Sequence, residues 1–246
     1  MMNPAESKIA FGVCLSELDR NANFRFDCMD NMKESFGMFR IGRVDCDCGQ
    51  FYVDTCFEEY AKTCNKLSIP WVGYLYLHFR NDNGKSKIVL PNLNMLDIFD
   101  KVSLSLPYIV FLIDFEPTDL TAEYVNTTIQ LLNESILSKS DKSFTVCVGF
   151  VGKYREFADH SEFDYPLYTE VLLSEDSTSF SVPSNTILCW YYVKSEKSGR
   201  ASSYFHSMGS IGDELNLQRI RVNLDTVIAI GELADAIQNY RRNDSI

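Results

Sequence analysis

The run PYIVFLIDFEP, residues 107–117, constrains the chain more than any other segment. Apolar side chains continue without a charged interruption through Ile113, and Asp114, Phe115, Glu116 and Pro117 follow. A strand that is apolar on both faces must be covered on both faces, which is the situation of an interior strand in a parallel α/β sheet. In such architectures ligands bind at the carboxyl ends of the strands. Residues i and i+2 of a strand share a face, so Asp114 and Glu116 would project together, with Cα atoms about 6.5–7 Å apart. Two neighbouring carboxyl groups push each other's pKa values apart, so that one stays protonated and can act as an acid. Cleavage of a glycosidic bond has that requirement. The alternative is a pair that caps the next helix or is neutralised by an arginine.

The flanking pattern supports a parallel sheet. Residues 8–15, 38–44, 71–79, 107–115, 144–151, 168–173 and 187–193 read as strands. Segments 27–36, 53–67, 91–102 and 119–138 read as helices, and 226–240 as a helix or a strand-to-helix passage. The helix at 53–67 is expected to be capped by Asp54, with Phe57, Tyr60, Ala61 and Cys64 on one face. Strand–helix alternation with short connections suits either a doubly wound sheet or a closed barrel. No G-x-G-x-x-G or G-x-x-x-x-G-K loop is present, which weakens a nucleotide-binding version. Segments 80–90 and 194–217 read as long surface loops, and no linker divides the 246 residues, a length that one α/β barrel fills.

Charge narrows the partners. The net charge of −11 comes without a basic stripe, so no nucleic acid is expected, since phosphate binding needs Lys and Arg. An acidic balance also disfavours adhesion to anionic membranes. The opening MMNPAESKIAFGVCL lacks a basic region followed by a long apolar run, so synthesis in a cytoplasm without a signal peptide is expected. Most of the eight cysteines are then expected to be thiols, and Cys46 and Cys48, spaced C-x-C with no histidine beside them, are not read as a metal site. No cofactor is indicated. Tyr74 and Tyr76, and Trp190, Tyr191 and Tyr192, suit stacking on sugar rings and suit a barrel core equally. His78, His160 and His206 stand isolated in the sequence.

In order and spacing these segments resemble the lysozymes of glycoside hydrolase family 25. FGVCLSEL at 11–18 resembles their opening strand. YVDTCFEEYAKTCNKLSIPWVGYLYL at 52–77 resembles a helix opening on a "VDPYF"-like phrase and leading into a "GxYxF"-like strand. LPYIVFLIDFE at 106–116 resembles their "LPVFLDIE"-like strand, ILCWYYV at 187–193 their "LWQY" strand, and RVNLDTVIAIGEL at 221–233 their closing "VDLNxF" phrase. The resemblance implies an α/β fold of one irregular (β/α) TIM-like barrel over residues 1–246. It implies Glu116 as general acid and Asp114 as the group that stabilises the developing cation or positions the substrate acetamido group. The substrate would be the β-1,4 bond of peptidoglycan, contacted by Tyr76, Trp190, Tyr192, Asn223, Asp225 and Cys14. The setting would be the cell wall after release, or a phage particle. Three positions depart from the pattern, one of them Tyr191 in place of the glutamine of the "LWQY" strand. Cys14 stands where the first strand of the family ends in aspartate, and Asn223 stands where the closing phrase carries one, with Asp225 two residues on. A degenerate barrel serving as a glycan-binding or structural module is the competing expectation.

Overall fold

The computed structural model describes residues 9–18, 26, 29, 35–46, 48–79, 105–115, 126–127, 129–131, 134, 145–150, 167–174, 186–194, 201–203 and 225–243. Ten strands are present among them: β1 (Ile9–Leu15), β2 (Ser35–Asp45), β3 (Gln50–Val53), β4 (Trp71–Phe79), β5 (Tyr108–Phe115), β6 (Thr145–Phe150), β7 (Leu167–Ser174), β8 (Thr186–Lys194), β9 (Ala201–Ser203) and β10 (Asp225–Ile230). Two helices are complete within the described residues, α1 (Phe57–Lys66) and α2 (Glu232–Asn243).

The strands form a mixed, barrel-like sheet in the order β1-β10-β8-β7-β6-β5-β4-β2, and β2 pairs again with β1. Strands β1, β2 and β4 to β8 run parallel, and β10 lies antiparallel to both β1 and β8. An all-parallel sheet is therefore corrected to a mixed one. Because β10 runs backwards it ends at the amino-terminal side of the barrel, and Gly231, at φ 60°, turns the chain directly into α2. Leu233, Ala234 and Ile237 of α2 pack with Ala10, Leu106 and Ile187, which sit at the starts of parallel strands. Helix α2 thus covers the amino-terminal end and leaves the carboxyl end for a site.

A second apolar layer lies outside the sheet. Phe39, Ile41 and Trp71 are fully buried there, and Phe57, Tyr60, Ala61 and Cys64 are the buried face of α1, as the helical spacing requires. The Phe39 ring lies 5.7 Å from Tyr60 and 5.9 Å from Trp71, and the Trp71 indole N–H donates to Asn65 Oδ1 at 2.7 Å.

Three local readings change. Strand β2 begins at Ser35, so the last residues of the expected helix at 27–36 are extended. The hairpin strand β3 and the short β9 were not anticipated, since each is only three or four residues long and they run into segments read as a helix and a loop. Asp54 is not the N-cap of α1. The helix starts at Phe57 after Cys56, and the Asp54 carboxylate accepts from Arg40 and from the Cys56 N–H in the turn before it. The expected helix at 91–102 and the loop at 80–90 lie outside the described residues.

Cys14, Cys46, Cys48, Cys56, Cys64 and Cys147 are thiols and not halves of disulfides. No helix among the described residues is long and apolar enough to cross a membrane.

Candidate active site

The carboxyl end of the barrel is built from four observations. The first is the junction of β1 and β10, where Cys14 is the Cα partner of Asp225. Cys14, where the resemblance leads one to expect an aspartate, therefore lies directly across the ladder from one. On the other side Cys14 pairs with Met38 of β2.

The second is the Tyr74 hydroxyl, which is hydrogen-bonded to Cys14. Tyr74 is buried in the barrel core, and its pKa is raised well above the usual tyrosine value, chiefly by burial and then by Cys14. The phenol is neutral and available as a donor. The fold resists its ionisation, so stability is full below about pH 10 and declines as pH rises past the value of unfolded tyrosine. Replacing Tyr74 by Phe should flatten that alkaline decline, measured as urea midpoints between about pH 8 and 11. A slope identical to the parent's would show that Tyr74 ionises without opposing the fold.

The third is an ion cluster midway along β2. Arg40, the Cα partner of Tyr74, donates its Nε–H to Asp54 Oδ2 at 2.8 Å and an Nη2–H to Glu17 Oε1 at 3.0 Å. Asp54 also accepts the Glu17 N–H at 2.9 Å and the Cys56 N–H at 3.0 Å, and Glu17 Oε2 accepts from Thr55. Burial works to lower the Arg40 pKa, but the Asp54 hydrogen bond and the nearby negative groups hold it raised. The cluster ties the turn after β1 to β2 and to the start of α1.

The fourth is a bulge. The β2–β4 register slips between Arg40 and Gly42, so Ile41 is the extra residue. Its carbonyl accepts the Asp54 N–H at 3.0 Å, and its side chain fills the space that a Cβ on Gly73 would need. A bulge resets strand alternation. Arg40 faces Tyr74 in the barrel, and three residues on, Arg43 sits opposite Tyr76, which also packs against the barrel core. In a regular strand without the bulge this odd spacing would place them on opposite faces. Two rows of Cα partners result, Tyr52–Arg43–Tyr76–Leu112 and Gln50–Asp45–His78–Asp114, crossing β3, β2, β4 and β5.

Of the residues singled out from sequence, Cys14 and Tyr76 are half-buried and border the barrel core. Asp114 is placed by its backbone near the end of β5 beside His78, and Asp225 by its backbone at the start of β10. Trp190 lies on β8 as the Cα partner of Val227, and Tyr192 as that of Leu172 and Ser203. Glu116 and Asn223 lie outside the described residues. Arg40, Arg43, Asp45 and His78 were missed. The alternating charges of RIGRVD at 40–45 were a usable signal, but strict period two divides them between faces.

No protein-family model matches the sequence, and no curated protein matches it significantly. Solved structures do. The catalytic domain of endolysin ply40 from bacteriophage P40 of Listeria monocytogenes superposes with a TM-score of 0.56 at 15% identity, covering 94% of this chain and 97% of that one. The bacterial lysozyme from Streptomyces coelicolor gives 0.53 at 12% identity, covering 95% and 97%. A family GH25 lysozyme from Aspergillus fumigatus gives 0.52 at 12% identity, covering 94% and 98%. The fold is thus that of the glycoside hydrolase family 25 lysozymes and endolysins; at these identities the likeness speaks for the fold.

Proposed function

We propose that this chain, as a single domain, is a peptidoglycan-acting glycoside hydrolase of lysozyme type. It cleaves β-1,4 bonds between N-acetylmuramic acid and N-acetylglucosamine. The observation that carries the proposal is the position of Asp114 near the carboxyl end of β5, inside a barrel of the lysozyme fold, with Asp225 across the ladder from Cys14. Glu116, two residues beyond Asp114, donates the proton to the leaving oxygen. Asp114 carries the charge that stabilises the oxocarbenium-like centre. Asp225 takes over from the carboxylate absent at position 14. Tyr76, Trp190, Tyr192 and Asn223 line the glycan. The assay is release of reducing ends from purified cell walls of several bacterial types. The enzyme acts at the wall, after release from the cell or as part of a phage particle.

A second reading, a non-catalytic glycan-binding barrel, is favoured by one observation: a thiol hydrogen-bonded to Tyr74 stands where the family has a carboxylate. The substitution Cys14→Asp separates the two. Tyr74 offers the new carboxylate a donor, and Arg40 lies within electrostatic range of Tyr74. The variant should therefore fold with a melting temperature near the parent's, whereas a buried carboxylate without a donor costs several kcal/mol. Wall hydrolysis should rise in the variant, or arise in it from an inactive parent. Glycan binding without hydrolysis by both proteins would establish the binding module.

A further inference from the structure

Among the described residues the exposed large apolar side chains are Leu18, Tyr52 and Val53, and all belong to one corner of the barrel. Leu18 follows Glu17, whose carboxylate binds Thr55 and whose N–H binds Asp54. Tyr52 and Val53 lie immediately before Asp54 on β3. Tyr52 is 42% exposed, yet its ring is held in place: the Arg43 guanidinium sits over it, 5.0 Å from the centroid. Arg43 is itself fixed by Asp45 through contacts of 3.1 and 3.3 Å. An aromatic ring so restrained and left open to solvent has already lost the side-chain freedom that binding would otherwise remove.

Its position joins it to the candidate active site. Tyr52, Arg43, Tyr76 and Leu112 are successive Cα partners, and Asp114 lies two residues beyond Leu112 on β5. Three strand spacings put Tyr52 about 14 Å from β5 along the sheet. That is within reach of a short oligosaccharide whose scissile bond lies at Asp114. We infer that Tyr52, oriented by the Arg43–Asp45 pair, is an outlying saccharide subsite that stacks one pyranose ring of the same glycan strand. The inference rests on the glycan-hydrolase reading. It adds a preference for longer strands, since a disaccharide held at Asp114 does not extend to β3.

The test measures binding of soluble peptidoglycan glycan strands, a disaccharide and strands of eight or more sugars, to the Glu116→Gln protein. Adding Tyr52→Ala should weaken long-strand binding about tenfold, in line with an aromatic contact of roughly 1–1.5 kcal/mol, and leave disaccharide binding unchanged. Tyr52→Phe should retain the parent affinity. Tyr52→Leu, apolar but without a ring face, should behave like alanine and serves if the alanine protein folds poorly. Equal long-strand affinity for the parent, Tyr52→Ala and Tyr52→Leu overturns the subsite while leaving the hydrolase reading standing. Failure of the parent to bind any strand overturns both.

Discussion

Glu116→Gln is expected to lower hydrolysis of purified walls by about 10²–10⁴, the usual worth of a positioned general acid. Glutamine nearly matches glutamate in shape but has no proton to give, so circular dichroism and glycan affinity should stay at parental values. On the proposed mechanism Asp114→Asn should also be severe, because it removes the charge that stabilises the developing cation. The two losses should not multiply, since both groups serve one transition state. A Glu116→Gln protein that hydrolyses walls at the parental rate would place the chemistry elsewhere in the barrel.

The largest structural effect is expected at Asp54. Its carboxylate has no exposed surface and accepts three hydrogen bonds, from Arg40, Glu17 and Cys56. Alanine there leaves two backbone N–H groups without their acceptor and leaves Arg40, with only 18% of its side chain exposed, supported by Glu17 alone. Breaking a buried pair from one side costs about 3–5 kcal/mol, a large share of the stability of a domain this size. Urea unfolding of Asp54→Ala should show that loss. The double change Asp54→Leu with Arg40→Met should recover part of it, since replacing both charges removes the desolvated cation. A loss under about 1 kcal/mol for Asp54→Ala would show that the cluster is a surface ion pair in its energetics.

The parts of the fold that periodicity could reveal were legible because burial dictates them. Strand β5 read clearly since both of its faces are covered, and α1 since one apolar stripe packs on Phe39 and Trp71. The reversed β10 was not legible, because strand direction is set by partners far away in sequence and leaves no mark on the six residues themselves. Hairpin strand β3 is exposed at three of its four positions, and four residues are too few to set a periodicity. Of the candidate site, Asp114 was marked in the sequence because it follows the end of an apolar run. The site was hidden where it depends on register: Asp225 across from Cys14, and His78 between Asp45 and Asp114. His78 stands alone in sequence only because its neighbours come from other strands.

The extra residue at Ile41 makes β2 two half-strands of opposite phase. Deleting it would leave the faces as they are, since Gly42 already pairs with Leu75, and Arg43 and Asp45 would still lie opposite Tyr76 and His78. What would go is the carbonyl that accepts the Asp54 N–H and the side chain that fills the space beside Gly73. A lineage that lost one codon here would keep its charged rim and lose part of what ties that rim to the turn leading into α1.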